Sequence, residues 1–356
     1  YIVKEFFQKT IKSKNLESRT DDFYVNNDDR QNYIFNSKIN GIEESDLIIL
    51  VGTNPRYEAT ILNSRIRKSF VKNKTEIYSF GDIGDLTYPY KILDNKTETI
   101  KDIIENKNKL SNKIKNTKKP IVIIGQSALK LKSGKFIFEK FKEFLMQNNK
   151  INNEWNSLNV LSKDASTVGA YDLDILSLND ENNSILKRIK NNQFDILFLI
   201  GQDNLNFKKK NEFIIYIGTH GDKGAEIADV ILPGATYTEQ DGYFTNLEGK
   251  IQKAYKSSYP PGKAKEDWKI VNDLSTLIKR KKIYQSKEEL IDSMMNYMKL
   301  NKKNKNNKIT ETEFLSEKIL IDPIDYYYSN VIARSSNTMS KCRSEKLKIK
   351  STGTDG

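Results

Sequence analysis

"DLIILVGTNPRYEATILNSRIRKSF", Asp46 to Phe70, is the stretch whose reading decides the fold. An unbroken aliphatic run suits a strand buried on both faces, the habit of parallel sheets covered by helices. Gly52 lets the chain turn sharply at the strand's carboxyl end. Pro55 then suits the first turn of a helix. Ala59, Leu62, Ile66 and Phe70 recur at three and four residues, which places them on one helical face.

Three further runs repeat the pattern: "PIVIIG" (Pro120 to Gly125), "DILFLIG" (Asp195 to Gly201) and "FIIYIG" (Phe213 to Gly218). After the first of these, Ile137, Phe141, Phe144 and Leu145 again share a helical face. Unequal spacing excludes a solenoid. The grammar predicts an α/β protein of two doubly wound, Rossmann-like lobes, at residues 1–118 and 119–255, joined by the Lys/Asn-rich stretch before Pro120. A helical return segment is expected at 256–300. A low-complexity linker and carboxyl-terminal tail follow at 301–356, with "NKKNKNNK" (Asn301 to Lys308) as a solvated connection in an irregular, helical extension.

Composition narrows the function classes. With 37% hydrophobic residues, the 356-residue chain can bury substantial cores, while 30% charged residues imply long solvated segments. No apolar run approaches the roughly 18 residues that a membrane-spanning helix needs. The chain opens at Tyr1 rather than Met, which reads as a start that is processed, truncated or incomplete. Cys342 is the only cysteine and His220 the only histidine. Iron-sulfur clusters usually take four thiolates and structural zinc takes four Cys or His ligands, so neither can be built here. The pair is also too far apart in sequence to be a good nucleophile and base. The formal net charge of +12 invites a nucleic-acid reading. Lys and Asn are instead scattered through nearly every loop with no recognisable nucleic-acid module, and no nucleic-acid partner is expected.

Phosphate motifs fail when checked. "GTNPRYE" has one glycine where a dinucleotide fingerprint needs three, and "GQSALKLKSGKF" has the wrong spacing and ends on Phe136 where a P-loop needs Ser or Thr. The turn from Gly52 to Pro55 still precedes a helix N-terminus, where α/β proteins commonly bind anions, although it also serves as a plain turn. A second stretch, "ILPGATYTEQDGYFTNLEGKIQ" (Ile231 to Gln252), reads as a short buried strand stopped by Pro233 and Gly234. It continues as a turn-rich excursion that gathers Glu239, Asp241, Asn246 and Glu248. Such a loop can grip a polar cofactor or satisfy its own turns. Nothing in it poises paired carboxylates for hydrolysis.

"VGTNPRYEATILNSRIRKS", "IADVILPGATYTEQDGYFTNLEGKIQ", "PPGKAKEDWKIV" and "YYYSNVIARSSNTMSKC" together resemble the carboxyl-terminal part of the large iron-sulfur subunit of respiratory complex I. The first two also resemble molybdopterin oxidoreductases generally, whereas "SSNTMSKC" resembles the complex I subunit only. The resemblance implies the fold of molybdopterin oxidoreductases such as formate dehydrogenase, in which segments matching Gly52 to Pro55 and Gly234 to Gly249 help hold a pterin nucleotide. In the mitochondrial complex I version it implies a domain without that cofactor. This sequence departs further, lacking upstream cluster cysteines, a metal-ligand segment and a β-rich final domain, and carrying Lys250 where the motif usually has Arg.

The implied expectation is a noncatalytic scaffold in the peripheral arm, supporting electron transfer from NADH to ubiquinone on the matrix side of the mitochondrial inner membrane. No catalytic, cofactor-binding or metal residue is assigned to this chain. Iron-sulfur clusters are expected on a missing or separate amino-terminal part. That part and the other peripheral-arm subunits are the implied partners. The alternative is part of a molybdenum or tungsten pterin-dependent oxidoreductase whose metal-ligand half lies on another chain.

Overall fold

A computed structural model describes residues 1–177, 184–205, 207–221, 223–300 and 312–351. The expected solvated connection at 301–308 lies outside the described residues. Helix α1 (Ile2–Glu5) opens the chain and widens into a short π-helical turn, Phe6–Ile11. The first lobe follows as β1 (Leu47–Val51), α2 (Pro55–Glu58), α3 (Thr60–Asn73), β2 (Glu76–Phe80), β3 (Lys91–Leu93), α4 (Thr97–Ile104) and α5 (Lys109–Asn116). It continues through β4 (Pro120–Gly125), α6 (Gln126–Leu129), α7 (Gly134–Gln147) and β5 (Leu158–Leu161). These strands form one parallel sheet in the order β3-β2-β1-β4-β5.

Every residue of β1 and β4 is buried. Alternate side chains serve opposite faces: Leu47, Ile49, Val51, Val122 and Ile124 pack with Ile100, Ile114, Ile137 and Phe141, whereas Ile48, Leu50, Ile121 and Ile123 pack with Leu62 and Ile66. The sheet is therefore covered on both sides, as continuous apolar runs require. Each fully buried aliphatic side chain contributes roughly 1.5–3 kcal/mol relative to exposure.

This pairing corrects the expected boundary at 118/119. Leu47 to Val51 lie in register with Pro120 to Ile124, so the joint before Pro120 runs inside one lobe. The Lys/Asn-rich stretch there includes α5, which uses Leu110 and Ile114 to cover the sheet. Charged residues on its outer face hid an ordinary crossover helix.

After α8 (Thr167–Asp172) and α9 (Ile185–Lys190), a second parallel sheet is built from β6 (Ile196–Ile200), β7 (Phe213–Gly218) and β8 (Val230–Pro233), with α10 (Lys223–Ile227) before β8. The expected buried strand near Ile231 is instead an exposed edge: Val230, Ile231 and Pro233 are all exposed. An edge is also where a strand tolerates proline, which has no N–H to donate. The turn-rich excursion is a hairpin, β9 (Gly242–Thr245) paired antiparallel with β10 (Ile251–Ala254).

Helices α11 (Asp267–Lys279) and α12 (Lys287–Leu300) follow, and the chain closes with α13 (Val331–Arg334) and α14 (Asn337–Ser351). Between them, the tail crosses the first lobe as a strap. The Thr97 hydroxyl donates to Leu315 O at 2.8 Å and accepts from Glu317 N at 2.9 Å. Leu315 N donates to Ser133 Oγ at 2.8 Å, and Ile319 is buried in the first core.

Candidate functional site

The strand order of the first sheet reverses between β1 and β4, and a crevice outside the carboxyl ends at such a point is where open α/β sheets bind ligands. Here two glycines bring the chain very close to itself. Gly52 holds φ +60°, and a Cβ on it would lie 2.5 Å from Ala128 N; a Cβ on Gly125 would lie 2.4 Å from Gly52 O. The turn is filled by its own helix. The Asn54 side chain caps α2 by accepting from Arg56 N at 3.1 Å and donates to Ile83 O at 2.8 Å. Glu58 folds back so that one carboxylate oxygen accepts from Thr53 Oγ1 at 2.6 Å and the other from Asn54 N at 3.2 Å. Burial raises the Glu58 pKa, while these hydrogen bonds pull it down by less. A second carboxylate comes from the tail. Asp322 N donates to Ser127 Oγ at 3.1 Å, and its carboxylate pairs with Lys130 at 3.2 Å and approaches Lys163 at 3.9 Å.

The second sheet has its own cleft, about 440 Å³, beside the carboxyl ends of β7 and β8, with Thr219, His220, Thr236, Glu239 and Lys263 among its lining residues. His220 Nδ1 lies 2.9 Å from Thr219 Oγ1. Glu239 accepts from Thr236 N at 3.1 Å. Asp241 lies outside this lining and accepts from Lys256 N at 2.8 Å. That N–H, with nearby Lys287 and Lys256, holds its carboxyl below the usual range. Asn246 accepts from Lys250 N at 2.8 Å and closes the hairpin turn, with Glu248 at its tip. The four polar residues gathered by sequence thus divide between cleft and hairpin, and the hydrogen bonds given for Glu239, Asp241 and Asn246 go to nearby backbone. Cys342 lies exposed on α14, and among the described residues no group of three or more His, Cys, Asp or Glu could hold a metal ion.

Three further polar clusters fix these walls. Arg30 forms two hydrogen bonds with Asp172, both at 2.8 Å, and donates to Gly249 O at 2.6 Å. Asp267, at the start of α11, accepts from Gln240 Nε2 at 3.0 Å and Ala235 N at 3.3 Å, and its pKa is raised by burial. Arg334 reaches Asp203, just beyond β6, at 2.6 Å. The tail therefore touches the carboxyl-end turns of both sheets. Sequence reasoning missed Asp322 and Arg334 because nothing local marks a partner so distant in the chain. Glu58 had a visible signal, an acid in the first turn after the Asn-Pro start.

The family described as Molybdopterin oxidoreductase matches residues 1–277, and the family of carboxyl-terminal regions of the G-type NADH-ubiquinone oxidoreductase component matches residues 295–342. The chain is similar to the NADH-ubiquinone oxidoreductase 75 kDa subunit of Reclinomonas americana, with 38% identity over 343 residues, 93% of this chain and 49% of that protein. It is 35% identical to the mitochondrial NADH-ubiquinone oxidoreductase 78 kDa subunit of Candida albicans over 88% of this chain and 45% of that protein. Identity to the mitochondrial NADH-ubiquinone oxidoreductase 78 kDa subunit of Neurospora crassa is 33%, over 90% of this chain and 44% of that protein. The chain spans about half the length of the curated relatives it matches.

Proposed function

The chain belongs to the molybdopterin oxidoreductase family, and from that premise we propose that it is a noncatalytic scaffold in the peripheral arm of respiratory complex I. It supports electron transfer from NADH to ubiquinone while the redox centres lie on other parts of the assembly. The observation that carries this reading is the Glu58 carboxylate on Thr53 Oγ1 and Asn54 N. A phosphate at this turn would need the same donors and would meet a like charge in a confined space. Asp322 adds a second carboxylate at the Ser127 turn of the same sheet. These residues do not fit a phosphate-bearing cofactor, and no chemical step is assigned to the crevice.

In this reading the complex sits at the mitochondrial inner membrane with this chain on the matrix side. No helix among the described residues is long and apolar enough to cross a membrane, which agrees with a peripheral position. Iron-sulfur clusters belong to the amino-terminal part of the subunit, which is a partner of this chain along with other peripheral-arm subunits.

The test is to isolate the native assembly, release this chain from it, and assay the chain for iron, molybdenum, tungsten and extractable pterin. The expected result is co-purification with NADH:ubiquinone activity and none of the four in stoichiometric amount. Stoichiometric molybdenum or tungsten with a pterin would overturn the scaffold reading in favour of a pterin-dependent oxidoreductase.

A further inference from the structure

The carboxyl end of α11 runs into four consecutive cations, Lys279, Arg280, Lys281 and Lys282, all of them exposed. Among the described residues none of the four has a carboxylate within ion-pair distance. Other lysines of the chain are matched: Lys91 and Lys113 share Glu76, Lys256 and Lys287 share Glu266, and Lys265 pairs with Asp273. Immediately before the cations stand Leu277, 80% exposed, and Ile278, 51% exposed. Large aliphatic side chains left in water beside unmatched positive charge are costly on both counts.

This corner is held rigidly. Arg280 takes the left-handed conformation at φ 55° and donates its N–H to Thr276 O. Asn272 accepts from Ile283 N at 2.9 Å and Tyr284 N at 3.2 Å and donates to Tyr284 O at 2.7 Å. Ser275 donates to Lys281 O at 3.1 Å. The backbone carrying the cations is therefore fixed at fixed spacing. More apolar surface lies in the direction in which α11 runs. The helix starts at the carboxyl end of β8, where Asp267 meets Ala235, and covers Phe198 of β6. Its far end points toward the amino ends of the strands, where Ile196 and Phe213 pair in register and are 56% and 46% exposed.

We propose that this corner is a docking surface for an acidic segment of a neighbouring protein, one that interleaves Asp or Glu with apolar residues. Carboxylates would neutralise the cationic run while aliphatic side chains cover Leu277 and Ile278. Fixed cation spacing favours a protein partner, because preorganisation lowers the ordering cost of binding a defined surface and gives no advantage against a fluid lipid headgroup layer. The inference rests on the proposed function only in taking the neighbour to be a subunit of the same assembly.

Carbodiimide coupling of the intact complex tests it, since that reagent joins an amine to a carboxylate only where the two already touch. Mapping the cross-linked peptides is expected to join Lys279, Lys281 or Lys282 to an Asp or Glu of another polypeptide. Charge reversal by Lys279→Glu with Lys281→Glu, and separately Leu277→Ser, is expected to weaken retention of that polypeptide about tenfold at unchanged melting temperature. Coupling confined to acids of this chain, or none at these lysines while Lys113 couples to Glu76, would overturn the proposal. So would normal assembly of the charge-reversed chain together with lost binding to phosphatidylserine vesicles, which would make the surface a lipid contact. If the chain is absent from complex I, the proposed function fails instead, and the same coupling in whatever assembly contains it still decides the corner.

Discussion

Gly249 and Gly52 hold φ at +81° and +60°, a region that side chains enter only with strain. An added Cβ would lie 2.7 Å from the Arg30 guanidinium in the first case, and that group is fixed by Asp172. In the second it would meet the backbone of Ala128. Gly249→Ala should cost about 1–3 kcal/mol and Gly52→Ala more, measured by chemical denaturation, whereas Asp241→Asn and Glu239→Gln should each stay within about 1 kcal/mol. Gly234 has no positive φ, and its constraint is the approach of Asp267 Oδ1 to 2.6 Å of an added Cβ. Two carboxylates should respond to pH with opposite signs. For Glu266 burial alone raises the pKa, but Lys287, Trp268 and Lys256 outweigh it and hold the group at about 2. Its stabilisation is present above the ordinary 4.5 and is lost as pH falls toward 2. Glu266→Gln should therefore remove about 2 kcal/mol at neutral pH and flatten the acid limb of a stability titration. Glu58 is shifted upward, so its contribution declines as pH rises past 4.5, and Glu58→Gln should flatten the slope between about pH 5 and 7.

Secondary structure was most legible where apolar periodicity was strong. The four glycine-ended runs all became parallel strands, and the faces led by Leu62 and Ile66 and by Ile137 and Phe141 were buried as predicted. The first of those helices breaks at Ala59, whose φ of −154° leaves the helical region while Glu58 is drawn back onto Thr53. A one-residue interruption does not disturb three-and-four spacing enough to be read. Hairpin β9–β10 was hidden because it has only short, half-exposed strands, joined through Asn246 and Gly249. The strap was missed for a different reason: its partners, Asn95, Thr97, Ser127 and Ser133, lie far back in the chain. Ile319→Ala should destabilise the first lobe by about 2–4 kcal/mol. It should also speed hydrogen exchange of the amides at Thr97 and Ser133, whereas a strap that contributes nothing would leave both readouts unchanged.

For the whole molecule, the proposed scaffold role separates assembly from turnover. Alanine at Glu239 or Asp241 should leave NADH:ubiquinone activity per assembled complex within about twofold of the parent, and the glycine substitutions should act mainly on the amount assembled. Native gels with activity normalised to the assembled band measure both, and loss of normalised activity in Glu239→Ala at full assembly would make the cleft a working site. The sequence alone determined the α/β class, the parallel strands and the family, because buried β-branched runs, glycine turns and motif spacing are local properties that each segment carries with it. The single Cys and His likewise limited metal chemistry whatever the fold. Only the tertiary structure decided that Pro120 continues the first sheet and that Glu58 takes the donors of the Gly52 turn. Tertiary contacts alone brought Asp322 and Arg334 back over the carboxyl ends of the two sheets. Strand pairing and long-range ion pairs depend on which distant segments share a surface, and the free energy that selects them comes from joint burial that no local window contains.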